Sequence, residues 1–225
     1  MNTQAPVVFG TEDLLKILCN SVSRVLTAAT QQPIRYSGMV QKIGKTCLKP
    51  DIGCFVLFDG GFSGLVVLNF SAQAAMELYE SYMLNMGMAR EDLALSYTSD
   101  EVSNVMGELM NQMVGNFTSR VERELQTHIT QNQPKMLVIN KQVTLSIGAN
   151  LDNPEARRVS FFTGKGNTFY LELAVDRTEF IKIADFDNEE ESDPDTLFAE
   201  ATRSGGSATP ASKGDQDHLL DSLGM

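Results

Sequence analysis

Little in this sequence favours covalent or metal chemistry. It has three cysteines, Cys19, Cys47 and Cys54, and two histidines, His128 and His218. No two cysteines stand in a C-x-x-C pair and the histidines lie far apart, so a zinc site is not indicated. The thiols read as reduced, buried side chains of a cytoplasmic protein. No run approaches the roughly 18 apolar residues of a membrane span. The N-terminal MNTQAPVVFGTEDLL has no basic segment ahead of an apolar one, so export is not expected either. Basic charge is scarce, with 18 Lys and Arg against 29 Asp and Glu and a net charge of -11. That balance lacks the basic footprint of a nucleic-acid binder.

What the chain does have is a hydrophobic content of 42%, enough for one sizeable core in 225 residues. The acidity is local. Residues 1–183 hold 18 acidic and 16 basic side chains, whereas residues 184–225 hold 11 and 2. The expected organisation is therefore a nearly neutral folded domain over 1–183 and an acidic tail over 184–225. The tail is rich in Gly, Ser, Ala, Thr and Pro and is expected to be disordered, because such composition buries too little apolar surface to offset chain entropy.

Periodicity places the elements. TEDLLKILCNSVSRVLTAAT, from Thr11, has a capping residue, acids in its first turn and helical apolar spacing. The stretch IRYSGMVQKIGKTCLKP reads as one weak strand. CFVLF and LVVLNF, joined by the glycine-rich DGGFSG, form a hairpin expected at the centre of a sheet because both runs are apolar on both faces. Ser71 caps a second helix, and REDLALSY suggests a short one. Thr98 with Glu101 forms a possible capping box, with Ser99 and Asp100 as alternatives, opening the longest helix, which extends to about Gln126. After Pro134 the texture turns to β, in KMLVIN, QVTLSIG, RRVSFFTG and TFYLELAVD, the last two joined by the turn KGN.

On the longest helix, Val102, Val105, Met106, Leu109, Met110, Met113, Val114, Phe117 and Val121 trace an apolar stripe. Asn104, Glu108, Asn111, Gly115, Ser119 and Glu122 lie opposite, so Glu108 and Asn111 point outward from adjacent turns. Gly107 and Gly115 flank the pair, each disfavouring helix by roughly 1 kcal/mol relative to alanine. Such glycines suggest close approach of another backbone or a partner surface. The spacing alone is consistent with an ordinary solvated helix face, and Glu101 with Asn104 repeats it one heptad earlier. Spacing does not choose between the two pairs.

The run GELMNQMVGNFTSRVEREL resembles the signature helix of the CheC/CheX/FliY response-regulator phosphatases. Its form is G-E-x-x-N followed by a small residue, with a proline roughly twenty residues beyond the Asn, matched here by Pro134. The order of elements over about residues 11–183 is similar to that of CheX, and a single signature helix favours CheX over CheC. The resemblance selects Glu108 and Asn111, which follow one glycine and precede the other. It departs at Asn104, where Asp or Ser is usual, and in the acidic tail.

The resemblance implies an α+β fold of CheX type, with an antiparallel or mixed sheet covered by helices. It implies a phosphatase that hydrolyses the phospho-aspartate of a CheY-like receiver domain in chemotaxis or related two-component signalling. Asn111 would orient the attacking water, Glu108 would pair with a receiver lysine, and Gly107, Gly115 and Asn104 would lie at the partner surface. The chain would need no cofactor of its own, since magnesium resides on the receiver. A homodimer is implied, with the apolar segments near residues 136–175 as candidates for its interface. A non-catalytic module that binds or sequesters the regulator is the alternative, and a flagellar-switch scaffold is a more distant one.

His128 has no carboxylate next to it in sequence and reads as structural or exposed. DQDHLLDSLGM, at 215–225, puts Leu219, Leu220 and Leu223 on one helical face among acids. It is similar to the short acidic-leucine peptide with which the flagellar switch protein FliM captures CheY, and would serve as a tethered recruiting motif.

Overall fold

The computed structural model describes residues 8–144 and 154–181. The tail, with Leu219, Leu220 and Leu223, lies outside them, as does most of QVTLSIG. In chain order the elements are β1 (Val8–Phe9), α1 (Thr11–Thr30), β2 (Arg35–Ile43), β3 (Cys47–Leu48), β4 (Ile52–Gly60), β5 (Gly64–Phe70) and α2 (Ala72–Asn85). They continue with α3 (Asp100–Leu125), β6 (Ile129–Gln131), β7 (Lys135–Val138), β8 (Val143–Thr144), β9 (Pro154–Phe162), β10 (Thr168–Asp176) and β11 (Phe180–Ile181). A single 3-10 turn at Arg90–Asp92 stands where REDLALSY suggested a helix. The stretch read as one strand after Pro33 is two, β2 and β3.

Seven strands form one sheet in the order β2-β9-β10-β5-β4-β6, with β7 also pairing β4. Every pairing in it is antiparallel. The hairpin β4–β5 is central as expected, and all seven residues of β5 are buried. Alternation along β10 sets the two faces. Phe169, Leu171, Leu173 and Val175 enter the main core, which also takes the apolar stripes of the three helices. Ala174 joins Leu48, Leu65, Val67 and Ala156 in a smaller cluster on the other face, where β3 pairs with β8. The helices thus cover one face of the sheet.

Local signals explain the helix ends. α1 begins one residue earlier than the threonine suggested. Gly10 is its N-cap, and the Gly10 N–H donates to Asp13 Oδ2 at 3.0 Å, which leaves Thr11 buried inside the first turn. Ser71 caps α2 by accepting from the Ala74 N–H at 3.2 Å. The cap of α3 is Ser99, accepting from the Val102 N–H at 3.3 Å, and not Thr98. Glu101 is then unavailable for a capping box because its carboxylate is held elsewhere.

The core face of α3 is the expected stripe. Val102, Met106, Leu109, Met110, Met113, Val114, Phe117 and Val121 are all buried, each stabilising by roughly 1.5–3 kcal/mol relative to exposure. Phe117 meets Phe58 of β4 edge-on at 5.6 Å between ring centroids. This packing leaves the opposite face of α3 outward, beside the sheet edge formed by β6 and β7.

Candidate functional site

Glu108 and Asn111 are both exposed on adjacent turns of α3. Glu108 Oε1 accepts from Gln112 Nε2 at 2.9 Å. Asn111 Oδ1 accepts from Gln131 Nε2, on β6, at 2.8 Å. Asn104 is exposed two turns from Asn111. One turn holds a free carboxylate oxygen and the next an amide whose carbonyl is partly engaged, a constellation suited to binding and orienting polar groups.

The competing pair is not equivalent. The hydroxyl of the fully buried Tyr79 donates to Glu101 Oε1 and accepts from the Ala94 N–H at 2.9 Å. Glu101 therefore joins α3 to α2 and to the segment ahead of α3. Burial, followed by the bond to Glu101, raises the Tyr79 pKa, so the phenol stays a donor at neutral pH. Glu101 holds the fold, whereas Glu108 faces outward.

The flanking glycines are not filled in by the fold. A Cβ on Gly107 would make ordinary contact with Met136 Cγ of β7 at 3.6 Å, and one on Gly115 would meet nothing within 4 Å. Tight packing inside this domain accounts for neither, which corrects that part of the expectation. Gly115 borders open space on the same face as Asn111.

His128 is exposed, as read from the sequence, but it does have a carboxylate partner: Nδ1 lies 3.0 Å from Glu122 Oε1. That oxygen also accepts from the Ile129 N–H at 2.8 Å, so the contact closes the end of α3. The three cysteines are free and buried. Burial pushes the Cys19 thiol up to about 12 and Cys54 higher still, which leaves neither as a thiolate nucleophile at neutral pH. Among the described residues no group of three or more His, Cys, Asp and Glu is placed to hold a metal ion, and no helix is long and apolar enough to cross a membrane.

Sequence reasoning missed Gln112 and Gln131. Gln112 follows Asn111 directly and reaches back one turn. Gln131 stands twenty residues beyond Asn111, in a polar stretch with no motif, and only the pairing of β6 with β4 brings it to α3.

The sequence matches the family described as "Protein of unknown function (DUF3334)" over residues 5–225. Compared by sequence with curated proteins, the chain matches none. Its fold is that of the CheX and CheC-like proteins. The chemotaxis protein CheX from Desulfovibrio desulfuricans aligns with a TM-score of 0.59 at 15% identity, over 73% of this chain and 99% of that one. A CheC-like superfamily protein from Shewanella sp. PV-4 aligns with a TM-score of 0.58 at 18% identity, over 73% and 97%. A chain of the CheX–CheY–BeF3–Mg2+ complex from Borrelia burgdorferi aligns with a TM-score of 0.52 at 16% identity, over 73% and 99%. At these identities the likeness establishes the architecture.

Proposed function

We propose that this chain, which belongs to the DUF3334 family of proteins of unknown function, is a phosphatase for the phospho-aspartate of a CheY-like receiver domain. The observation that carries the reading is the outward presentation of Glu108 and Asn111 on adjacent turns of α3. The repeat pair, by contrast, has its glutamate bound to a buried tyrosine. The likeness to a CheX crystallised with CheY adds support.

The reaction asks little of the phosphatase. An acyl phosphate is already reactive, so acceleration comes from positioning and electrostatics. Water attacks phosphorus in line. The new P–O bond forms as the bond to the aspartyl oxygen breaks, leaving an aspartate carboxylate and inorganic phosphate, with the proton lost by water passing to phosphate or solvent. Asn111 accepts a hydrogen bond from that water through Oδ1 and donates through Nδ2, and it carries no titrating proton. Glu108 pairs with a cationic side chain beside the phosphorylated residue, most naturally a lysine, and sets the register of the docked helix. The metal of the reaction belongs to the receiver. A homodimer is part of the same reading. Leu137, Val138, Val143, Phe162 and Tyr170 within residues 136–175 are exposed apolar or aromatic side chains suited to an interface, and light scattering on the purified chain tests it.

The decisive measurement is the decay of a phosphorylated receiver from the same organism, alone and with the wild-type chain, Asn111→Ala or Glu108→Ala. Acceleration by the wild type that falls on the order of a hundredfold in Asn111→Ala, and declines through weaker binding in Glu108→Ala, supports the phosphatase. Binding of a receiver without faster decay selects the non-catalytic module, a reading that the departure at Asn104 keeps in view.

A further inference from the structure

We infer that Gln131 is a positioning residue for Asn111; this rests on the phosphatase reading and adds a second element, β6, to the site. An asparagine on an exposed helix face rotates about both side-chain torsions, and ordering it during the reaction costs conformational entropy. Here Gln131 Nε2 donates to Asn111 Oδ1 at 2.8 Å. A carbonyl oxygen has two in-plane lone pairs. One goes to Gln131, which fixes the plane and sense of the amide, and the other lone pair and the Nδ2 hydrogens remain for water and phosphoryl oxygens.

Gln131 is itself held. Its backbone is in register opposite Phe58 of β4. Immediately after it, the Asn132 N–H donates to Leu57 O at 3.0 Å and the Leu57 N–H donates to Asn132 Oδ1, also at 3.0 Å. That double contact pins the end of β6. Among the described residues the Gln131 Oε1 atom is buried without a partner, and the donor to Asn111 is the one hydrogen bond of this side chain. Turning the amide over would set Oε1 against Asn111 Oδ1, two acceptors facing each other, and bury an amide N–H2 instead. The side chain therefore stays oriented with its donor toward the site, and does so despite an unsatisfied buried acceptor.

The test uses the full chain with Gln131→Met, which keeps bulk and removes the donor, and Gln131→Lys, which restores a donor. Two readouts are taken: receiver dephosphorylation resolved into kcat and KM, and side-chain amide NMR of Asn111 in the absence of receiver. The expected result is a fall in kcat on the order of tenfold for Gln131→Met at unchanged KM, partial recovery in Gln131→Lys, and greater mobility of the Asn111 amide in the Met variant. Wild-type kcat in Gln131→Met, or an Asn111 amide as ordered as in the wild type, overturns the positioning role and leaves the phosphatase intact. A wild-type chain that turns over no receiver overturns the phosphatase reading, and the positioning role falls with it.

Discussion

Two glutamates seven residues apart on one helix do different work. Glu101 accepts the hydroxyl of buried Tyr79, so Glu101→Ala leaves that hydroxyl without its acceptor and is expected to cost about 1–3 kcal/mol of stability. Glu108→Ala removes an exposed side chain bonded, among the described residues, to Gln112 alone and should change stability by no more than about 0.5 kcal/mol. Urea unfolding of both variants checks this, and the reverse ranking would mean the assignments are exchanged. Gly115 gives a second test. Nothing lies within 4 Å of a Cβ placed there, so Gly115→Ala should stabilise the helix by up to about 1 kcal/mol. If a receiver backbone approaches this face, the same methyl raises KM in the dephosphorylation assay; a stabilised variant with unchanged KM would mean that no partner comes near. At this scale the spacing offered two E-x-x-N pairs, and the flanking glycines of the family resemblance, not periodicity, selected Glu108 and Asn111. Periodicity reports which way a residue points from its own helix, and the tie that separates the pairs comes from Tyr79, on another helix.

At the scale of elements, apolar periodicity was enough to locate α1, α2 and α3, each a long run with one clear period, and two apolar runs about a glycine-rich turn marked the β4–β5 hairpin. The short pieces were not legible. β1, β3, β6 and β11 have two or three residues each, too few for a period, and exist because a neighbouring strand offers them hydrogen bonds. β6 matters most, since it carries Gln131 to the site. Polar ties between elements were equally hidden. Glu77 of α2 is buried and accepts from the Thr163 hydroxyl at 2.5 Å, the Lys165 N–H at 2.9 Å and Asn167 Nδ2 at 2.8 Å. The carboxylate thereby clasps the turn between β9 and β10. Glu77→Ala leaves the buried Thr163 hydroxyl without its acceptor and frees the Lys165 and Asn167 donors, and is expected to lose about 1–3 kcal/mol. Equilibrium denaturation checks the loss, and since the partners of Glu77 include none of Glu108, Asn111 and Gln131, kcat per folded molecule should be unchanged.

For the whole molecule, the order of helical and β-rich runs was legible along the chain, and the α+β class came with the resemblance to the CheC/CheX/FliY proteins. The strand order was not legible, because antiparallel pairing between β2 and β9, or β10 and β5, joins segments that lie on the order of a hundred residues apart with no local trace. The charge partition leads to a prediction about the full chain. If the nearly neutral domain carries the chemistry and 215–225 recruits the receiver, tethering raises the receiver's local concentration near Glu108 and Asn111 without touching the chemical step. Effective concentrations for short flexible tethers reach the order of millimolar. Deleting residues 206–225 should then raise KM and leave kcat unchanged. The triple variant Leu219→Ala, Leu220→Ala and Leu223→Ala, which keeps the acids, should do the same if the leucines form the recognised face; a loss on deletion that the triple variant does not reproduce would shift recruitment to the acidic charge, and an unchanged KM in both would remove the tail from recruitment.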